Sequence, residues 1–137
     1  MIVQQTELKN FQNALSSCIK GEVYFDEVTL GLYATDASIY QINPIALVLP
    51  RDEQDVCAAV KTAAEYNVSI LPRGAGTSLN GQCVGSSMVI DFTKYMDKIL
   101  ELNVEESWVR VQPGVVLDEL NAHLAEHGLL IPLCLAL

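Results

Sequence analysis

The chain has 137 residues, half of them hydrophobic and 18% charged, with a mean hydropathy of +0.26, a composition that excludes a disordered or fibrous chain and bounds it at one small domain. Seventeen acidic against eight basic residues give a formal net charge of −9, the wrong sign for a nucleic-acid backbone or an anionic membrane surface. The first ten residues show no basic run ahead of an apolar core, and the longest uncharged stretch, 74–90, is interrupted by Gly, Ser, Asn and Gln, so neither a secretory leader nor a membrane span is expected. Cys18, Cys57, Cys83 and Cys134 form no CxxC pair and read as thiols of a reducing compartment, taken as the cytoplasm.

In chain order, Leu8, Phe11, Leu15, Cys18 and Ile19 recur at helical spacing over 6–20, and Gly21 follows where a C-terminal cap belongs. Residues 21–43 carry no sustained period and read as an irregular arm. The run 45–49 is continuously apolar and bounded by Pro44 and Pro50, the pattern of a strand buried on both faces. Asp52 is placed to cap a helix over 53–66 whose inner face would be Val56, Ala59, Val60 and Ala63. A second apolar run at 68–71 completes a strand, helix, strand unit, whose crossover length suits two parallel strands in one sheet. Further strands are expected at 88–91 and, as an antiparallel pair, at 99–104 and 108–112, followed by a helix over 117–127 closed by Gly128. Trp108 begins an apolar strand and reads as core; Asp36 and Asp91 read as turn or strand-end residues.

The segment between the second and third strands, 72–85, holds four glycines and two hydroxyl residues: Pro72-Arg73-Gly74-Ala75-Gly76-Thr77-Ser78-Leu79-Asn80-Gly81-Gln82-Cys83-Val84-Gly85. Glycines permit positive φ and close approach, so successive N–H groups can converge on an anion, and the loop leaves the carboxyl end of a buried strand, where α/β sheets bind ligands. A phosphate or pyrophosphate is the expected guest. A nucleoside-triphosphate loop is excluded by Gln82 and Cys83 standing where Lys and Ser or Thr are needed, and a nicotinamide fingerprint by Leu79 at its third glycine position.

The run from Arg73 to Gln82, together with Tyr33-Ala34-Thr35-Asp36-Ala37-Ser38-Ile39-Tyr40, Val48-Leu49-Pro50 and Val109-Arg110-Val111-Gln112-Pro113-Gly114-Val115, resembles the FAD-linked oxidases of the vanillyl-alcohol oxidase type, in the glycolate oxidase and D-lactate dehydrogenase branch. The wording is most similar to large members with a C-terminal iron–sulfur region. The resemblance implies an α+β class and a two-lobed FAD-binding PCMH-type fold: an N-terminal helix and arm over 1–43, a small parallel α/β lobe over 44–95, and the incomplete start of a larger lobe with antiparallel strands over 96–137. It implies that Pro72, Arg73, Gly74, Ala75, Gly76, Thr77, Ser78 and Gly81 hold the FAD diphosphate, that Gln82 lies toward the flavin, and that Gly114 lies where the second lobe nears the cofactor. Arg73 would either offset phosphate charge or make a surface ion pair. Thr77 stands where some members attach the flavin covalently through His, so non-covalent FAD is implied, with an iron–sulfur cluster only in a longer protein.

The implied activity is oxidation of a small D-2-hydroxy acid such as lactate, glycolate or 2-hydroxyglutarate. The tail Leu133-Cys134-Leu135-Ala136-Leu137 departs from the family pattern, no catalytic residue is identified, and this chain alone is expected to be inactive and to hide apolar strand edges by self-association. Two other readings stay open: a non-catalytic interaction module that has lost the cofactor, and a zinc hydrolase suggested by His123-Leu124-Ala125-Glu126-His127. Gly76→Val in a full-length version is expected to abolish FAD retention while leaving the thermal unfolding of the apoprotein nearly unchanged.

Overall fold

The computed structural model describes residues 2–132, with side chains from residue 6 onward; the tail and Cys134 lie outside the described residues. Ten elements follow in order: α1 (Ile2–Cys18), β1 (Glu22–Tyr24), α2 (Glu27–Leu32), β2 (Ala46–Leu49), α3 (Glu53–Glu65), β3 (Ile70–Arg73), β4 (Met88–Asp91), β5 (Ile99–Asn103), β6 (Trp108–Val111) and α4 (Leu117–Ala125). The strands form a four-stranded sheet in the order β1-β2-β4-β3 and a separate hairpin of β5 and β6. The expected α+β class is present.

β2 and β3 are both parallel to β4, which lies between them, with Leu47 opposite Val89 and Leu71 opposite the same residue. Because alternate residues of a strand point to opposite faces, the sheet sorts its apolar side chains into two layers. Ala46, Val48, Met88 and Ile90 face α1 and α3, where Phe11, Leu15, Ala59 and Ala63 are buried against them. Leu47, Leu49 and Val89 face the other way and are covered by Tyr24, Leu30, Tyr33, Leu71 and Tyr95. The second layer is thus roofed mainly by aromatic side chains from the arm and from the turn after β4, not by long helices.

The arm is more ordered than its composition suggests. β1 pairs antiparallel with β2, Val23 opposite Val48, and α2 starts at Asp26, whose carboxylate accepts from the N–H of Thr29 at 2.9 Å. Neither element shows a hydrophobic period: β1 has three residues and owes its form to the β2 edge. β3 begins two residues later than the apolar run, because Asn67 takes a left-handed turn (φ 54°) and the Val68 N–H closes α3 on the Ala63 carbonyl at 2.8 Å.

On α3 the buried positions are Asp55, Ala59, Thr62 and Ala63, whereas Val60, expected inside, is 42% exposed. The helix is turned by Asp55, which is 1% exposed and gathers three backbone donors: Lys20 N–H at 2.9 Å, Gly21 N–H at 2.9 Å and Arg51 N–H at 3.0 Å. One carboxylate therefore ties the end of α1, the turn into β1 and the start of α3. Gly21 is required there, since a Cβ would lie 2.1 Å from the Leu49 carbonyl oxygen. Trp108 is half-exposed on the hairpin, a correction to its expected core position: its Nε1–H donates to Glu106 at 2.8 Å and Arg110 lies 5.6 Å over its ring. Among the described residues no helix is long and apolar enough to cross a membrane.

At the first residue of β1, Glu22 accepts from Tyr24 Oη at 2.6 Å, from Lys94 Nζ at 2.6 Å and from Tyr95 Oη, holding the turn after β4 to the sheet. The bonds from Lys94 first, then those from the tyrosines, lower its pKa from 4.5 to about 2.

Two outcomes follow from these ties. Asp55→Ala leaves three amide donors without their acceptor and should destabilise the chain by about 2–4 kcal/mol in urea denaturation; a loss below about 1 kcal/mol would contradict the bracket. Glu22 has a folded pKa below its ordinary value, so its stabilising contribution is present above pH 4.5 and is lost as pH falls from there toward 2. Melting temperatures measured at pH 6 and pH 3 should accordingly differ less in Glu22→Gln than in the unsubstituted protein.

Candidate functional site

β3 ends at Arg73 and its parallel neighbour begins at Met88, so residues 74–87 must return from one end of the sheet to the other without a helix. A connection of this kind has no internal hydrogen-bond ladder and has to be held from outside. The arm holds it. Ala37 N–H donates to the Gly76 carbonyl at 3.2 Å, Cys83 N–H donates to Asp36 Oδ2 at 3.2 Å, and the Tyr40 ring lies over Gly81, where a Cβ would come within 2.6 Å of Cδ2.

Arg73 supplies the remaining tie. Its guanidinium donates to the carbonyls of Thr35 at 2.9 Å, Cys83 at 3.0 Å and Tyr33 at 3.3 Å, and it lies 5.2 Å over the Tyr33 ring. Arg73 is in no ion pair among the described residues, which corrects the surface-pair expectation. Tyr33 in turn donates its hydroxyl to Asp91 Oδ2 at 2.7 Å, while Asp91, at the end of β4, also accepts from the N–H and hydroxyl of Thr93 at 2.8 and 2.7 Å. Burial first, and then the bond to Asp91, pushes the Tyr33 phenol pKa up. Asp36 closes the far side of the loop; bonds from Ser38 above all, with the Cys83 N–H and the Arg73 charge, hold its carboxyl below the usual range.

With the loop so held, the N–H groups of Gly74, Ala75, Gly76, Thr77, Ser78 and Leu79 donate no hydrogen bond among the described residues. Gly76 and Gly81 have φ of +73° and +78°, which bend the loop at two points in a conformation that glycine adopts at low cost. Against Gly76 lies the Arg73 guanidinium: a Cβ on Gly76 would be 2.4 Å from its Nη2. A run of amide donors without acceptors among the described residues, one of its glycines lying against a cation, has the makings of an anion cradle. The same contact corrects the expectation that Gly76→Val spares the fold, because it would displace Arg73 from its three carbonyls.

The other expected residues are placed as follows. Pro72 lies on β3, the edge strand, opposite Ile90, where its missing N–H costs no ladder bond. The Ser78 hydroxyl donates to Gln82 Oε1 and accepts from the N–H groups of Asn80 and Gln82 at 3.4 and 3.2 Å, so its proton is engaged within the loop, whereas the exposed Thr77 hydroxyl has no partner among the described residues. Gly114 is buried against the turn after β4, its N–H bonded to the Met96 carbonyl at 2.8 Å. Cys83 is a half-buried free thiol. His123 on α4 and His127 in the turn after it have ring centroids 5.8 Å apart, but no group of three His, Cys, Asp or Glu able to hold a metal occurs among the described residues. Tyr33, Asp36 and Asp91 do more at the site than their sequence suggests, since their partners are 40 or more residues distant.

The chain is 45% identical over 117 residues to D-2-hydroxyglutarate dehydrogenase of Pseudomonas putida, covering 83% of this chain and 12% of that protein. It is 32% identical over 118 residues to glycolate oxidase subunit GlcD of Bacillus subtilis, covering 83% and 25%. It therefore spans a quarter or less of these curated relatives. A solved structure of p-cresol methylhydroxylase shares the fold at a TM-score of 0.78 and 20% identity, over 91% of this chain and 26% of that one. One of alkyldihydroxyacetonephosphate synthase does so at 0.75 and 23%, over 88% and 27%. The PCMH-type fold expected from the loop and its flanking motifs is thus present. Residues 44–136, from the residue that leads into β2 through the loop to the hairpin and α4, match the family model described as FAD binding domain, and the chain belongs to that family.

Proposed function

We propose that this chain is the FAD-binding portion of a flavin-dependent oxidoreductase of small D-2-hydroxy acids, with residues 74–79 holding the cofactor diphosphate. The observation that carries the reading is the run of six amide donors that follows Arg73 and finds no acceptor among the described residues. The site suits the group: free donors, glycine at the two bends, and beside Gly76 a guanidinium that forms no ion pair among the described residues. Gly74, Ala75 and Gly76 would supply backbone N–H groups, Thr77 its free hydroxyl, and the Ser78–Gln82 pair the rigid far wall, with Gln82 on the flavin side. Gly114 would fix the hairpin near the cofactor. Bound FAD would supply hydride acceptance from the substrate carbon; the chain supplies orientation and electrostatics. The names of the relatives in Pseudomonas putida and Bacillus subtilis support a 2-hydroxy acid as substrate. The domain division at about residues 43 and 95 belongs to the same proposal, as do self-association through the exposed hairpin edges and, on the free thiols of Cys18, Cys57 and Cys83, a cytoplasmic location. An iron–sulfur cluster would belong only to a longer protein, and the chain alone is read as inactive.

The test is a titration of the isotopically labelled chain with FAD, followed by amide chemical shifts. N–H bonds to a charged group are worth about 1.5–3 kcal/mol each before association costs are subtracted, so a Kd on the order of millimolar is expected. Shifts should concentrate at residues 74–79. Gly74→Val, where an added Cβ meets nothing within 4 Å, should keep the melting temperature and weaken these shifts; unchanged FAD binding in that variant, or shifts confined elsewhere, would refute the placement.

No histidine lies in the loop, so the flavin should be held non-covalently. Acid precipitation of the FAD-loaded chain should leave the flavin in the supernatant, and flavin in the pellet would show a covalent bond.

A further inference from the structure

We infer that Asp36 is a positioning residue of the diphosphate site, acting on the anion through the loop it holds; the inference rests on the reading of residues 74–79 given above. A carboxylate close to a phosphate site is, by simple electrostatics, a liability, because it repels the ligand. The geometry shows what offsets it. Asp36 directs Oδ1 to the N–H of Ser38 at 2.9 Å and Oδ2 to the N–H of Cys83 at 3.2 Å, so both oxygens face backbone donors. One residue to either side of it the same arm holds the loop again: the Thr35 carbonyl receives the Arg73 guanidinium at 2.9 Å and the Ala37 N–H donates to the Gly76 carbonyl at 3.2 Å. The Gly76 carbonyl and the Cys83 N–H are thus both tied to the stretch centred on Asp36, while the Cys83 carbonyl is held by Arg73.

That arrangement has a specific consequence for the donor row. The Gly76 carbonyl points into the arm, so the Thr77 N–H of the same planar peptide unit is directed the opposite way, and the Cys83 tie anchors the far end of the loop against the same arm. Releasing either end lets the free donors rotate, so an anion must then pay the ordering entropy that the clasp has already met. Positioning and electrostatics thus predict opposite signs for removal of the Asp36 charge. Asp36→Asn keeps the shape but has one carbonyl oxygen for two N–H donors, and its amide group faces one of them.

The experiment compares the unsubstituted chain with Asp36→Asn and Asp36→Ala, in two readouts. In the ligand-free proteins, amide hydrogen exchange at Ala37 and Cys83 should accelerate about tenfold or more in the variants while exchange in α3 is unchanged. In FAD titrations read from amide shifts of folded protein, Asp36→Asn should weaken binding about tenfold, a loss that corresponds to one charge-assisted hydrogen bond expressed in the ligand. Affinity that is unchanged or tighter in Asp36→Asn would overturn the inference and leave charge repulsion as the dominant effect, and unaltered exchange at Cys83 would overturn it independently. If the unsubstituted chain shows no FAD shifts at residues 74–79, the diphosphate reading falls and takes the positioning role with it, while the exchange data separately decide whether the clasp exists.

Discussion

The site depends on a guanidinium that makes no ion pair among the described residues. Arg73 directs its donors to three carbonyls drawn from two distant segments, Tyr33, Thr35 and Cys83, and stacks on an aromatic ring. Neutral acceptors do not cancel its charge, so the cation remains electrostatically active beside the loop while its three hydrogen bonds act as a structural cross-link. A lysine could supply the charge but not the fork. The single side chain thereby joins the end of an edge strand, the arm and the return of the loop, and meets the aromatic roof over the second face of the sheet at Tyr33.

The two faces of the sheet divide the labour. The face under α1 and α3 is packed with Phe11, Leu15, Ala59, Ala63, Val48 and Ile90, where alanines allow the helix to approach closely and burial at about 25 cal/mol per Å² provides most of the stability. The other face carries tyrosines, each with an apolar ring inward and a hydroxyl directed to a carboxylate: Tyr33 to Asp91, Tyr24 and Tyr95 to Glu22. Such side chains cover apolar surface and order polar groups together, which suits a layer whose outer side carries a binding loop.

What the sequence made legible was local. β2 and β4 are continuous apolar runs, α3 begins at Asp52, whose carboxylate accepts from the Asp55 N–H at 3.0 Å, and the hairpin strands at Ile99–Asn103 and Trp108–Val111 lie where apolar alternation put them. The loop was legible from glycine density. Illegible features depend on distant partners: β1 on β2, the rotation of α3 on three amides gathered by Asp55, and the clasp on Asp36 and Cys83, 47 residues apart. Asp55 illustrates the ambiguity, because an acid three residues into a helix is equally well explained by the helix dipole. Arg73 illustrates another, since carbonyl acceptors carry no sequence signature.

Gly114 gives the architecture its mechanical character. A Cβ there would lie 2.3 Å from the Phe92 carbonyl oxygen and 2.8 Å from that of Met96, and its own N–H is bonded to Met96 while Gln112 N–H bonds Lys98. The segment after β6 is thus pressed backbone to backbone on the turn after β4, with no side chain between them to act as a bearing. Contacts of that kind neither slide nor swivel without breaking hydrogen bonds, so the base of the hairpin is fastened to the turn after β4. A side chain at residue 114 would therefore act as a wedge, prising the segment after β6 away from that turn.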